Sequence, residues 1–429
     1  MVYLGYSTFL LNTNPENLNP ENLPLMSDPK TPEVVSDNVS TFYNTYPFPP
    51  EPLLDEAPPG YNWRWHWGAV HAFCTGQGAD LTQPIRILDA GCGTGVSTEY
   101  LAHLNPQADI VAIDISPGAL QVAEERCRRS RPVQWGSDRL QFRHLSLYNV
   151  AELPGTFQLI NSVGVIHHLG DPQRGLKALA EKLAPGGLLH IFVYSELGRR
   201  EIQLMQEAIQ LLQPDRQDYR QSVQVGREIF AALPSENRLV KRERERWFLE
   251  NQRDECFADM YVHPHEIDYS IPTLRSLLDS TDLVFLGFSN PQDWDLTPLL
   301  GQNPGLLDRA LQLEPWERYR LRELLDPDGV THYEFFLAKP PLTVKTWDSD
   351  QDLAAAIVHR NPCMHGWPSQ NLFNQDYLPI TLSEPEFQFL QACESEPQTI
   401  AQLQQSIPLS CSEVRALLKN RLIWLKSQG

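Results

Sequence analysis

With 429 residues, 41% of them apolar, the chain is long enough for two or three domains with ordinary cores. Its net charge of −19 would repel a phosphate backbone, and it has no run of about 18 apolar residues to cross a membrane as a helix. Seven cysteines at irregular spacing, with no C-x-x-C pair, make no disulfide framework and fit a reducing cytoplasm.

Residues 1–39 open with a polar stretch in which "NPEN" occurs twice, and they read as a disordered tail. Met26 is a candidate physiological start, because no basic region or small-residue cleavage site marks a signal peptide. From 40 to 73 the chain is dense in aromatics, with Phe42, Tyr43, Tyr46, Phe48, Tyr61, Trp63, Trp65 and Trp67 on a proline-fixed path. So many rings must bury themselves, either as a lid on a site or as a packing brace.

"IRILDAGCGTGVSTEYLAHL" (85–104) reads as strand, turn and helix. Gly91, Gly93 and Gly95 let the backbone bend sharply and let a ligand come close to free helix N–H groups. Asp89 lies just before the turn. The next strand, "DIVAIDIS", carries Asp114 near its end, where a carboxylate suits a ribose diol. Ser116 and Pro117 then start a helix as N-cap and first-turn residue. "FQLINSVGVIHHLGDP" (157–172) and "LAPGGLLHIFVYS" (183–195) supply two further strands.

These four pieces, in this order and spacing, resemble the class I S-adenosylmethionine-dependent methyltransferases. The resemblance covers residues 85–195. It implies an α/β fold with a Rossmann-like seven-stranded sheet and S-adenosyl-L-methionine as cofactor. It also implies cofactor contacts at Asp89, Gly91, Gly93, Gly95, Asp114, Ile115, Leu147 and Val163. Two positions depart from the family pattern. Ser146, Leu147, Tyr148 and Asn149 stand where many members have an aspartate for the adenine amino group, and Gln158 stands where an aspartate is common.

The expected organisation is a methyltransferase domain over 40–340 with a helical cap inserted at about 214–262, a connector over 341–380, and a small winged-helix-like α module over 381–429. Within the cap, "KRERERW" (241–247) alternates charge and reads as a solvated helix face. Ser410 and Glu413 form a capping-box pattern in the last module. Its five acids against four bases over 380–429 argue for protein contact or dimerisation, with nucleic acid excluded.

A methyl group on a sulfonium is already activated, so the protein mainly supplies position, plus a base where the acceptor arrives protonated. The catalytic candidates are His168, Asp259 and His263, and the acceptor-side candidates are Tyr43, Tyr46, His167 and Tyr269. "ADMYVHPHEIDYS" (258–270) also raises a metal reading through His263, His265, Asp259, Glu266 and Asp268. A proline loop fixes such ligands poorly and methyl transfer needs no metal, so no metal is expected. Asp268 or Ser270 has an ordinary use as the cap of a helix beginning near Ile271.

Three acceptor readings follow. The cap, the added C-terminal module and the acidic surface suit a protein side chain; with its "FYNTYPFPP" segment the chain resembles the larger methyltransferases, of which the phycobiliprotein β-subunit asparagine methyltransferases are one member class. The aromatic lid also suits a flat small molecule such as a quinone precursor. A cofactor-binding regulator without catalysis is the third reading. Neither a membrane nor a nucleic acid is an expected partner, since "NSVGVIHH" replaces the motif of adenine-modifying enzymes.

Overall fold

The computed structural model describes residues 31–80, 82–130, 139–394 and 397–427. The Met26 start and most of the expected disordered tail lie outside them. Residues 32–39, expected to be disordered, are helical. Thr31 caps helix α1 (Pro32–Thr45), Pro32 occupies its first turn, and its Val35, Val39 and Phe42 form one buried face.

A short 3₁₀ turn at Trp63–Trp65 leads into α2 (Trp67–Thr75). The sheet domain then runs β1 (Ile85–Ala90), α3 (Val96–Leu104), β2 (Ala108–Asp114), α4 (Pro117–Ser130), β3 (Leu140–His144), β4 (Phe157–Val163), α5 (Pro172–Lys182) and β5 (Leu183–Tyr194). The cap follows as α6 (Arg200–Leu212), α7 (Tyr219–Ala232), α8 (Arg238–Arg246) and α9 (Asp254–Tyr261). The chain returns through α10 (Ile271–Leu278), β6 (Val284–Phe288), α11 (Thr297–Leu300), α12 (Pro304–Leu311), α13 (Pro315–Leu325) and β7 (His332–Ala338).

The seven strands lie in the order β3-β2-β1-β4-β5-β7-β6. β1 to β5 are parallel, while β7 runs antiparallel to both β5 and β6. The order reverses between β1 and β4, so a crevice opens at their carboxyl ends. Both sheet faces are covered, as a parallel sheet requires. Period-two alternation divides the strand residues between them. Leu88, Ile113, Ile160 and Leu189 pack on one face with Leu176, Leu179 and Leu274. Ile87, Ile110, Leu159 and Leu188 pack on the other with Trp63, Val70 and Leu101.

The cap has its own small core. Ile202, Met205, Tyr219, Phe257 and Tyr261 close around Phe42 of α1. The charged run at 241–247 falls mostly on α8, which buries no side chain, as its alternation predicts.

The last segment departs from the expected boundary. It contains α14 (Asp350–Ala355), β8 (Ile357–Arg360), β9 (Asn371–Phe373), β10 (Pro379–Thr381), α15 (Glu384–Ala392), β11 (Gln398–Thr399), α16 (Ile400–Leu403), α17 (Cys411–Lys419) and β12 (Ile423–Lys426). β8 sits between β11 and β12 in a three-stranded antiparallel sheet, so part of the expected connector belongs to the module's core. Leu353 and Val358 pack with Phe389, Ile400 and Leu417. The reason is register: β8 offers too short an apolar run to stand out in the sequence, and its partners lie 40 to 69 residues away. Ser410 and Glu413 make the expected capping box on α17. No helix among the described residues is long and apolar enough to cross a membrane.

Gly95 precedes α3 at φ 82°, and a Cβ there would lie 2.7 Å from Ala123 Cβ and 2.8 Å from Ala123 Cα of α4. Backbone strain and a clash with helix backbone then coincide. Gly95→Ala should lower unfolding free energy by roughly 1–3 kcal/mol, read as a shift of the urea midpoint. An unchanged midpoint would show that α3 and α4 do not need this close approach.

Candidate active site

At the β1/β4 crevice lies a cavity of about 340 Å³, within the range of small-molecule sites. Its floor is the glycine turn. Asp89 does not reach it. This carboxylate is buried beneath the turn and accepts hydrogen bonds from Ser97 Oγ at 2.7 Å, Thr98 Oγ1 at 2.6 Å and Asn161 Nδ2 at 2.8 Å. Gly95 does not line the cavity either, since it packs on α4. Gly91 and Gly93 do line it.

Asp114 stands at the cavity wall beside Ile113 and Ile115. Its Oδ2 accepts from Gly93 N and its Oδ1 from Ser116 N, both at 2.8 Å. Burial raises its pKa, and those backbone donors work in the opposite direction. Each oxygen keeps a second lone pair, as a ribose diol needs. Leu145, Leu147, Val163 and Val165 make the wall apolar. Ser116 caps α4 through Ala119 N at 3.1 Å. The missing aspartate after β3 is structurally accounted for: Ser146 caps a 3₁₀ turn, and Leu147 takes the cavity position. Gln158 accepts from Arg86 N at 2.8 Å, bracing the start of β1.

The aromatic N-terminal segment is the roof. Val39, Tyr43, Phe48, Pro49 and Trp65 all line the cavity. The roof is bonded to the turn it covers: Thr94 N donates to Phe48 O at 3.0 Å and Thr94 Oγ1 to Pro49 O at 2.5 Å. Arg126 of α4 donates to Glu51 O and Pro52 O. Trp65 Nε1 donates to Asn161 Oδ1 at 3.0 Å. Lid and brace are therefore the same segment.

Of the expected catalytic residues, His168 and Asp259 line the cavity, and Tyr194 joins them. Tyr43 donates its hydroxyl to Asp259 Oδ1 at 2.9 Å. His168 donates Nδ1–H to the carbonyl of His265 at 3.0 Å, which leaves the Nε2 lone pair free of that bond. Burial pushes the His168 pKa down to about 4, so its ring is neutral at pH 7. His263 does not line the cavity. Its ring stacks behind His168 at 3.7 Å and packs on Phe42 at 4.9 Å, which makes it a brace. His167 is fully buried between His168 and Tyr194, at 4.0 and 4.3 Å. Tyr46 belongs to the cap core, and Tyr269 sits in the main core with its backbone bonded to Tyr194 and Glu196. These three acceptor-side assignments are corrected, and only Tyr43 stays at the cavity.

The metal reading also changes. Among the described residues, the group that approaches ligand spacing is His167, His168 and Glu266, within 4.8 Å. Glu266 is already held by Arg199 at 3.0 and 3.1 Å. Asp268 accepts from Gln203 Nε2 at 2.7 Å, while Ser270 takes the cap of α10. The proline loop thus serves mainly to return the chain from cap to sheet.

A methyltransferase-domain family profile matches residues 88–189. This stretch contains the glycine turn, Asp114 and the β4–β5 edge of the cavity. The chain belongs to the class I S-adenosylmethionine-dependent methyltransferases. An uncharacterised protein of Synechococcus sp. is 57% identical over 398 residues, 92% of this chain and 94% of that protein. An uncharacterised phycocyanin operon protein W of Pseudanabaena tenuis is 63% identical over 109 residues, 25% of this chain and 98% of that protein. The solved structure of PKMT2 from Rickettsia typhi in complex with AdoHcy shares the fold. Its TM-score is 0.56 at 14% identity, over 88% of this chain and 77% of that one.

In this methyltransferase the most perturbed acid at the cavity is Asp259. Burial pushes its pKa up to about 7, against the Tyr43 hydrogen bond, which lowers it. Sequence reasoning placed Phe48 and Trp65 in the aromatic lid or brace but missed Tyr194, Phe192, Pro49 and Val165. Tyr194 alone carried a signal, as the last aromatic of a strand whose carboxyl end faces the crevice.

The raised pKa of Asp259 has a stability consequence. The folded state holds this proton up to about pH 7 and the unfolded state only to about 3.8. Stability therefore falls as pH rises through that window. Asp268, also raised to about 7 by burial, acts in the same direction. Asp259→Asn should flatten part of the decline in urea-denaturation free energy between those values. An unaltered slope would place the Asp259 pKa near that of a free carboxyl.

Proposed function

We propose that this methyltransferase modifies a protein side chain, and that the acceptor is an asparagine of a phycobiliprotein β subunit. The observation carrying the acceptor is the 63% identity to a phycocyanin operon protein along 98% of that protein. The helical cap and the added C-terminal module give a protein acceptor more surface than a small molecule needs. We assign the cofactor contacts to Gly91, Gly93, Asp114, Ile115, Leu147 and Val163, all at the cavity.

Bound S-adenosylmethionine supplies a methyl group on a sulfonium, an electrophile that needs no further activation. The chain's part is to hold the acceptor in line, keep water out beneath the aromatic roof and take a proton. Asp259 is the base in this reading, because a pKa near 7 matches a working pH near neutrality. Tyr43 positions it. His168, neutral and tautomerically fixed, offers its Nε2 as a hydrogen-bond acceptor on the same side.

Incubation with methyl-labelled cofactor and unmodified phycocyanin should put label on an asparagine of the β subunit, read by peptide mass spectrometry. Label confined to organic-soluble small molecules would sink this reading. Asp114→Ala should weaken S-adenosylhomocysteine binding by roughly 1–3 kcal/mol in calorimetry, as for a lost charged hydrogen bond. Undiminished affinity would remove Asp114 from the cofactor site. Tyr43→Phe withdraws a donor from the Asp259 carboxylate and so raises its pKa further. The rising limb of the kcat/KM profile should move to higher pH, and a fixed limb would count against Asp259 as the base.

A further inference from the structure

A second cavity of about 230 Å³ adjoins the first. The two share Phe48, Phe192, Tyr194 and Asp259 as walls. Its far side is built by the cap, through Trp247, Glu250, Asn251 and Cys256. The sheet's methyl-transfer edge and the inserted cap therefore meet across one hollow, with Asp259 at the partition.

The chemistry of this hollow is that of hydrogen-bond acceptors between aromatic rings. Asn251 is 2% exposed, and its Nδ2 is fixed by Glu243 Oε1 and Oε2 at 3.0 and 3.1 Å. That bond settles the orientation of the amide and leaves Oδ1 without a partner among the described residues. A buried unpaired carbonyl oxygen is costly, and an incoming donor would relieve it. The Asp259 carboxylate has one oxygen engaged by Tyr43. Among the described wall residues the one cation, Arg199, donates to Glu266, and its guanidinium lies 3.5 Å from the Tyr194 ring centroid. Its charge is already met by that carboxylate and by Asp268, whose Oδ1 lies 3.7 Å from Arg199 Nε.

We infer that this second cavity is the acceptor subsite and that it selects a terminal –NH2 group, an amide or amine nitrogen, over a hydroxyl or carboxylate. The inference rests on the reading of the protein as a protein methyltransferase. An –NH2 group brings two donors to a wall whose buried acceptors are the Asp259 carboxylate and Asn251 Oδ1, with the exposed Glu250 beside them. The acceptor nitrogen's lone pair forms the N–CH₃ bond as the S–CH₃ bond breaks; the bonding pair stays on sulfur and the nitrogen's proton passes to Asp259. Trp247, Phe48 and Phe192 flank the acceptor's stem. At the rim, Phe248 and Leu249 are exposed apolar neighbours of the wall residues, placed to meet the surface that carries the side chain.

The test uses the full chain labelled with 5-fluorotryptophan and saturated with S-adenosylhomocysteine, with Trp247→Phe assigning the Trp247 resonance by ¹⁹F NMR. The probes are N-acetylasparagine N-methylamide, N-acetyllysine N-methylamide and, as the carboxylate control, N-acetylaspartate N-methylamide. Titration with at least one of the first two should move the Trp247 resonance, and the responding probe distinguishes a carboxamide source from an amine. Asn251→Leu and the cavity-filling Cys256→Leu should each weaken that binding by about tenfold while S-adenosylhomocysteine affinity stays unchanged. Three results would overturn the inference: no movement with either –NH2 probe, an equal response to the aspartate control, or undiminished binding in Cys256→Leu, which does not disturb the Asn251–Glu243 pair. Because the blocked amino acids bind without phycocyanin, a shifted resonance beside unlabelled phycocyanin would refute the acceptor protein and leave the subsite standing.

Discussion

A carboxylate withdrawn from water under the glycine turn organises the rest of this molecule. Asp89 is 1% exposed and survives burial because three donors face it. Two of them, Ser97 and Thr98, lie in the first turn of α3, so the carboxylate ties the end of β1 to the helix that follows it. The third, Asn161, belongs to β4. Its Oδ1 accepts from Trp65 of the roof and pairs with His190 Nδ1 of β5 at 2.8 Å. His190 Nε2 continues to Glu334 of β7, which Arg64 meets at 2.6 Å. One polar chain therefore crosses the sheet from the glycine turn and returns to the aromatic segment that roofs the cavity. Removing one member would leave another buried and unpaired, which is why this network sets the geometry of the crevice.

The side of the cavity next to the cap is built differently, by packing more than by hydrogen bonds. Phe42 and Tyr43 of α1 lie against His263 and His168, and the cap closes over the same rings. Burial holds His167, His168 and His263 neutral, because loss of water lowers the pKa of each. Asp259 is thereby left as the titrating group at the cavity nearest neutral pH. The cap brings this carboxylate to the crevice, and the proline loop after it carries the chain back to α10.

The C-terminal module is seated on the same roof. Gly78 N donates to Leu425 O at 2.7 Å, and Trp424 joins the core face that holds Trp63 and Val70. Tyr61 stacks on Tyr377 at 4.7 Å and donates to Asn374 O at 2.8 Å. The segment over the first cavity is thus clamped between the sheet on one side and the module on the other.

Local signals in the sequence were enough for the core architecture. The apolar runs of β1, β2, β4 and β5, the glycines at 91, 93 and 95, Asp114, the Ser116 cap and the Ser410–Glu413 box are each set by residues within a few positions of one another. Periodicity, φ preference and capping act over that range. Asp89, Gly95, His263, Tyr46, His167 and Tyr269 were legible as notable residues but not as to their use. Whether such a group faces the cavity or the core depends on neighbours far along the chain. Tyr43 meets Asp259 across 216 residues, and Trp65 meets Asn161 across 96. β8 was lost to the connector for the same reason. The amino-acid sequence by itself determined the methyltransferase sheet and the glycine turn at its crevice. Only the tertiary structure decided which acids, rings and histidines border the two cavities, because burial and long-range pairing have no local periodicity to announce them.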